Sequence, residues 1–350
     1  MSIYGLPENE ARADGLCTAR VVSQQRGQYR IVTAAGECAA VVSGRLRHEA
    51  LTPSDFPAVG DFVLADMAQG GEAVIRSVLQ RKSSFVRRAA GSARQEQVVA
   101  VNVDTVFLCM SLNRDFSLRR LERDLAVAWE SGASPVVVLT KADLCGDARR
   151  FALEAESVAV GVPVLVTTSL SEDGLAALAP YLRPGRTVAF IGSSGVSKST
   201  MINRLLGQAR QATGGLRNDD RGRHTTTSRE LLPLPGGALL LDTPGMREMG
   251  MWDAQEGIDQ TFSDVLALAA QCRFSDCAHS GEPGCAVRDA IARGELSEER
   301  LRSYRKLKAE NRYAGDAESY LAEKRQKFKD IAKSNKKNQK LSDKGQNGRR

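Results

Sequence analysis

Gly192-Ser193-Ser194-Gly195-Val196-Ser197-Lys198-Ser199 is the stretch that decides how this chain of 350 residues is read. It follows an apolar run with strand character, Thr187 to Ile191, and opens a segment with helical character at Lys198. A Gly-rich turn closed by Lys-Ser in that context reads as a phosphate-binding loop. Its backbone N–H groups surround phosphate oxygens, Lys198 reaches the outer phosphates, and Ser199 offers a hydroxyl to magnesium, with Thr200 beside it. An ordinary Gly/Ser turn is the plain alternative, and the Lys-Ser spacing argues against it. One position departs from the pattern: Ser197 stands where glycine precedes the lysine. A Cβ there crowds the phosphate or imposes a less favourable backbone, which predicts weakened nucleotide affinity.

Working outward, Asp242-Thr243-Pro244-Gly245 ends the apolar run Ala238 to Leu241 and sets a carboxylate at a strand's C-terminal edge. Asp242 is there expected to hold magnesium through a water, and the Gly245 amide to sense a terminal phosphate. Alone the string is as good a turn as a site; downstream of the loop it gains weight. Thr140-Lys141-Ala142-Asp143 closes the run Val136 to Leu139. A carboxylate at Asp143 can accept hydrogen bonds from N1 and N2 of guanine, a pair that adenine lacks, so the motif argues for GTP and against an ATP-dependent kinase. By itself it is equally a surface turn. Thr168-Ser169 fits an accessory loop beside the base. Met246 occupies the position where many GTPases carry the glutamine that orients the attacking water, so hydrolysis needs another group. His224 is the candidate, since an imidazole titrating near neutrality positions a water or takes its proton; an exposed loop residue or an RNA contact is the alternative reading.

The rhythm around these motifs is that of an α/β sheet. Runs at Thr105 to Met110, Pro135 to Leu139, Pro163 to Val166 and Thr187 to Ile191 alternate with helical segments at Leu118 to Glu130, Ala148 to Val158 and Gly174 to Leu182. Ahead of them, five short alternating runs between Cys17 and Val78 predict an OB-type β-barrel, a form that often presents a face to nucleic acid and that also occurs as a purely structural module. The basic stretch from Arg81 to Arg94, with Lys82, Arg87, Arg88 and Arg94, reads as a solvated linker or an RNA contact. After Met251 the pattern is helical: Thr261 to Gln271, Val287 to Arg293, then a longer helix capped by Ser297.

Cys272, Cys277, His279 and Cys285 supply three thiolates and an imidazole within fourteen positions, a set that suits one closed, structural zinc site. Three cysteines cannot all pair internally, which weighs against disulfides. The other four, Cys17, Cys38, Cys109 and Cys145, read as buried free thiols. The formal charge of +7 is uneven. Between Leu301 and Arg350 lie 16 of the 49 Lys+Arg and only 6 of the 42 Asp+Glu, so the basic character belongs to the tail and points to a polyanionic partner. Lys, Asn, Gln, Ser and Gly dominate beyond Lys324, predicting a disordered basic tail. No apolar run approaches the ~20 residues of a membrane helix, and Met1 to Gly15 lacks the form of a secretory signal, so no membrane contact and a cytoplasmic location are expected.

The order of the motifs carries most information: the segment around Asp143 precedes the phosphate loop, the reverse of ordinary GTPases. With a leading barrel and a trailing Cys/His module, this resembles the RsgA (YjeQ) family of circularly permuted GTPases that depend on the small ribosomal subunit. The likeness covers about Leu16 to Tyr320. Gly222-Arg223-His224-Thr225-Thr226-Thr227 is similar to the family's switch segment, which implies that Thr225 or Thr226 binds magnesium and the γ-phosphate. Thr140 stands where the family usually has asparagine. The resemblance implies a monomer that hydrolyses GTP to GDP on the small subunit and its rRNA, late in maturation, with hydrolysis driving release. An RNA-binding assembly scaffold, its nucleotide site impaired by Ser197, is the other function expected. The expected domains are a barrel with its extension and linker at 1–95, the permuted GTPase domain at 96–250, a helical zinc-binding domain at 251–322 and a basic tail at 323–350.

Overall fold

A computed structural model of the chain describes residues 3–6, 15–25, 27–67, 72–88, 96–113, 115–207, 229–243, 246 and 254–315. Strands β1 (Cys17–Gln25), β2 (Gln28–Thr33), β3 (Gly36–Val42), β4 (Phe62–Met67) and β5 (Glu72–Val78) form the expected barrel. β1 pairs with both β2 and β4, β3 runs parallel to β5, and β4 pairs with β5, so the ring closes. Helix α1 (Gly44–Glu49), capped by the Ser43 hydroxyl, crosses between β3 and β4. Alternation along the strands points Ala19, Val21, Ile31, Val63 and Ile75 into the barrel core.

The chain next makes an antiparallel pair, β6 (Ser84–Arg88) with β7 (Glu96–Val101). Part of the segment expected as a linker is therefore a strand: Phe85 and Val99 are buried, while Arg87 bonds Gln97 on the wet face. The basic residues between 81 and 94 masked this alternation.

The α/β sheet contains β8 (Thr105–Ser111), β9 (Ser134–Thr140), β10 (Val164–Val166), β11 (Thr187–Ile191), β12 (Arg229–Pro233) and β13 (Leu239–Asp242), in the spatial order β10-β9-β8-β11-β13-β12. All but β12 run parallel, as right for strands buried on both faces by crossover helices. The helices are α2 (Leu118–Glu130), α3 (Ala148–Glu156) and α4 (Lys198–Leu206). Glu172–Tyr181, expected to be an α-helix, is 3-10 in form, with Pro180 inside it removing a backbone donor. Strand β12 escaped notice because it is short and ends in proline. It pairs with β1 of the barrel, Ser23 opposite Glu230, so barrel and α/β sheet form one 11-stranded sheet.

The C-terminal part is helical as expected, with α5 (Gln255–Thr261), α6 (Ser263–Ala269), α7 (Ala286–Ala292) and α8 (Glu298–Gly315). Helix α6 lies within the run read at Thr261 to Gln271, and α5, which ends just before the fully buried Phe262, was not read from the sequence. Ser297 accepts from the Arg300 amide at 3.1 Å, the expected cap. Of the four scattered cysteines only Cys109 is fully buried; Cys17 in β1, Cys38 in β3 and Cys145 in a loop are half-buried, and all four are free thiols. No described helix is long and apolar enough to cross a membrane.

Candidate functional site

The carboxyl edges of β9, β8, β11 and β13 lie side by side, the edge where open α/β sheets bind ligands. Each motif leaves from one of these ends. At β11, Gly192 takes φ +144, and a Cβ there would fall 2.3 Å from the Cys109 carbonyl of β8, so only glycine lets the loop leave so close to its neighbour. The loop leads to α4, whose first residue is Lys198. The Lys198 ammonium is buried and donates to the carbonyls of Gly192 and Ser193, each at 2.5 Å. Val196 packs into the core, while Ser194 and Gly195 face solvent and Ser193, Ser197 and Ser199 are half-buried.

Ser197 has φ +67, the left-handed region that glycine enters freely and serine does not. The departure noted in the sequence thus has a physical form: the loop keeps the glycine conformation and the serine carries the strain.

Beside the loop, Thr140 ends β9. Its hydroxyl donates to the Val196 carbonyl at 3.0 Å, tying the Thr140–Asp143 turn to the phosphate loop 56 residues later. Lys141 then adopts φ +60 and starts a 3-10 turn through Ala142 and Asp143. Thr168 donates to the Asp143 carboxylate at 2.5 Å, and Arg204 of α4 donates to the Ser169 carbonyl at 2.8 Å. Hydrogen bonds therefore tie the turns bearing Asp143, Thr168 and Ser169 to the loop and to the helix that Lys198 opens.

At β13, Asp242 follows three buried leucines. The neighbouring Thr243 hydroxyl is buried and has no hydrogen-bond partner among the described residues, and a small cavity beside it is lined by Lys198, Asp242 and Met246. An orphaned hydroxyl at this place fits a hydrated cation. Met246 is 2% exposed, so it cannot serve an attacking water. His224, Thr225, Thr226 and Gly245 lie outside the described residues.

Some 260 residues into the chain the second cluster forms. The ligand atoms of Cys272, Cys277, His279 and Cys285 lie within 4.8 Å of one another, a ready metal-binding group. Sequence reasoning missed the partners around these sites. Arg120 of α2 donates to the Ser193 hydroxyl at 2.8 Å, and Arg300 of α8 is buried against Glu122 and Asp264. Both look like ordinary helix-surface charges in sequence.

A phosphate-loop sheet entered at β8, so that the Thr140 segment precedes the loop in the chain yet lies against it in space, defines a circularly permuted GTPase. The chain belongs to the RsgA GTPase family, which it matches over residues 78–252. It is 50% identical over 306 residues to "Small ribosomal subunit biogenesis GTPase RsgA 2" of Lactiplantibacillus plantarum, covering 87% of this chain and 86% of that protein. To the RsgA of Opitutus terrae it is 51% identical over 313 residues, 86% and 85% of the two chains. Among solved structures, YjeQ from Thermotoga maritima superposes with a TM-score of 0.63 at 27% identity, covering 83% of this chain and 97% of that one. YloQ, described as a circularly permuted GTPase, shares the fold with a TM-score of 0.62 at 24% identity over 87% and 98%.

Proposed function

We propose that this GTPase acts on the small ribosomal subunit during its assembly, binding rRNA while GTP is present and leaving on hydrolysis. The observation that carries the reading is the Thr140 to Val196 hydrogen bond, which brings the turn bearing Asp143 against the loop bearing Lys198, so that one guanine nucleotide spans them. The printed names of its relatives supply the ribosomal partner. In this reading Asp143 takes guanine N1 and N2, with Thr140, Lys141, Ala142, Thr168 and Ser169 shaping the base pocket. Gly192 to Thr200 cradle the phosphates, and Ser199 and Asp242 hold magnesium together with Thr225 or Thr226. Magnesium would neutralise charge on the β- and γ-phosphates, and the orphaned Thr243 hydroxyl supports a hydrated ion beside Asp242. With Met246 buried, His224 is left to position the water.

The second metal is zinc. For sulfur about 2.3 Å and nitrogen about 2.0 Å from a tetrahedral ion, sulfurs lie about 3.8 Å apart and sulfur to nitrogen about 3.5 Å. The Cys272 and Cys285 sulfurs are 3.9 Å apart, and each lies 3.6 and 3.5 Å respectively from His279 Nδ1. The work divides along the segments 1–95, 96–250, 251–322 and 323–350, the barrel, helical module and basic tail gripping RNA around a monomeric cytoplasmic GTPase.

Phosphate release from GTP, measured with and without purified small subunits, tests the proposal. Several-fold stimulation is expected, and His224→Ala should lose it while still binding GTP. Subunit binding without any stimulated turnover would leave the scaffold reading instead, which none of the relatives' names supports.

A further inference from the structure

Lys198 and Arg120 meet at one residue. Lys198 donates to the Ser193 carbonyl and Arg120 to the Ser193 hydroxyl, so two cations hold the first turn of the phosphate loop from opposite chemical handles. Their duties differ once phosphate arrives. An ammonium has three donors, two of them on loop carbonyls here, so serving the outer phosphates draws part of it away from Ser193. The guanidinium, anchored outside the loop, is then what keeps Ser193 in place.

Arg120 is well aimed. The segment between β8 and α2 is tied internally: Ser111 donates to the Asn113 side chain at 2.9 Å, the Asp115 amide donates to the same oxygen at 2.9 Å, and the Asp115 carboxylate holds Arg120 at 3.1 Å. One turn further along α2, Asp124 feels Arg120, Arg123 and Lys198, its carboxyl pushed up to about 7 chiefly by burial. Loop and helix therefore share one set of charges.

The C-terminal module grips α2 from Glu122 round to Arg123. Glu122, two residues and about 200° around the helix from Arg120, accepts from Arg300 at 2.6 Å and from the Ser303 hydroxyl. Arg123 pairs with Glu310 of α8 at 2.6 Å, and Glu130 accepts from the Gly257 amide at 2.8 Å. A Cβ on Gly257 would lie 2.0 Å from the Ala126 carbonyl, so α5 rests on the backbone of α2. A displacement of the module cannot leave α2 where it was.

We propose that Arg120 is a positioning residue of the GTPase site, fixing Ser193 and thereby the phosphate loop, and that the C-terminal helical module sets its position through α2. The inference rests on the nucleotide spanning the Asp143 turn and the phosphate loop as proposed above. It adds a route by which a partner held by the metal-bearing module changes turnover at a loop that it does not touch, with α2 as the contiguous packed element between them.

The test uses the full chain. Steady-state GTP hydrolysis and GTP and GDP affinities are measured for Arg120→Ala, Arg120→Lys, Ser193→Ala, the Arg120→Ala/Ser193→Ala double variant, and Arg119→Ala, an exposed neighbour that controls for lost charge; circular dichroism melting confirms folding. Arg120→Ala should lower kcat/KM about tenfold, a coupling of ordinary size, with Arg120→Lys recovering part of it and Arg119→Ala staying within twofold of the parent. The double variant should be no worse than Arg120→Ala alone. A zinc-selective chelator, with magnesium kept in excess, should change kcat/KM several-fold in the parent and less than twofold in Arg120→Ala. Unaltered kinetics in a folded Arg120→Ala protein, additive losses in the double variant, or equal chelator effects in both proteins would overturn the inference. Loss of GTP binding in every variant, Arg119→Ala included, would instead count against the nucleotide site itself.

Discussion

The α/β domain has a neighbour on each side, and the two joints are made differently. Toward the barrel, β12 pairs with β1 and the sheet runs through without interruption. There the fully buried Arg20 points its N–H groups at neutral oxygens: the carbonyls of Gly60 and Tyr4, and the Thr187 hydroxyl at 2.7 Å. Its guanidinium is lowered to about 10 by burial, with Asp104 and Asp61 opposing, and so stays charged at neutral pH. Toward the helical module, α5 lies against the backbone of α2 at Gly257, and α8 meets α2 through side chains. Arg300 spends its donors on Glu122, Asp264 and the Thr261 carbonyl and lies over the Phe262 ring at 4.3 Å. A backbone ladder tolerates most substitutions, whereas a buried ion pair fails when either partner is removed. The first joint suits a rigid platform; the second suits a part whose position has to report on something.

Metal removal separates the joints most strongly. The module's core is small, built around Phe262, Val287 and Leu301, and the Cys/His cluster closes one side of it through Cys285, so chelation should abolish its cooperative melting while the barrel and sheet keep theirs. Differential scanning calorimetry with and without chelator would register one transition lost; an unchanged thermogram would remove the structural role of the metal.

Cutting one partner of the buried pair comes next. Arg300→Met should cost about 3–5 kcal/mol in urea unfolding, because it leaves the Glu122 carboxylate buried without its counter-charge, and Glu122→Gln less, because Arg300 keeps Asp264. A Glu122→Met/Arg300→Met protein should recover part of that loss; if it is worse than either single variant, the pair is stabilising beyond its mutual compensation. On the barrel side, Arg20→Met should cost less, about 1–3 kcal/mol, since it strands neutral acceptors and not a charge.

Asp124 gives α2 a pH signature of its own. Burial raises its carboxyl from 3.8 to about 7, opposed by Arg120, Arg123 and Lys198. The folded state thus prefers the protonated acid, and that contribution is complete below about pH 4 and lost as pH rises through 7. Asp124→Asn should remove the slope, so that the variant gains on the parent as pH rises from 4 to 8. Parallel stability curves would contradict it. Smallest of all, Ser197→Gly should stabilise the folded protein by about 1 kcal/mol by relieving the left-handed serine, and tighten GTP binding. An equal or weaker GTP dissociation constant would show that the serine costs nothing at the phosphates.

Much of this was legible before any coordinate. Phosphate loops, capped helices and period-2 strands are local patterns, set by which residues tolerate a turn, a cap or a half-buried pleat, and they located the barrel, the parallel sheet, the loop and the Cys/His cluster. Local signals also misled. Pro180 altered a helix that periodicity alone extends, α5 ahead of Phe262 went unread, and the charges of Arg87 and Arg88 hid the strand β6.

From residue order alone came the permutation, since it is a statement about which motif precedes which, and the chemistry of the ligand sets, since thiolates, imidazole and carboxylates carry it in their atoms. Tertiary structure alone decided which distant groups meet: Thr140 with Val196, Arg120 with Ser193, Glu122 with Arg300, β12 with β1. Each of those contacts joins residues 56 or more apart, and no local preference specifies a partner across such a distance; it is selected only when the strands and helices pack and leave one arrangement in which the buried polar atoms are satisfied.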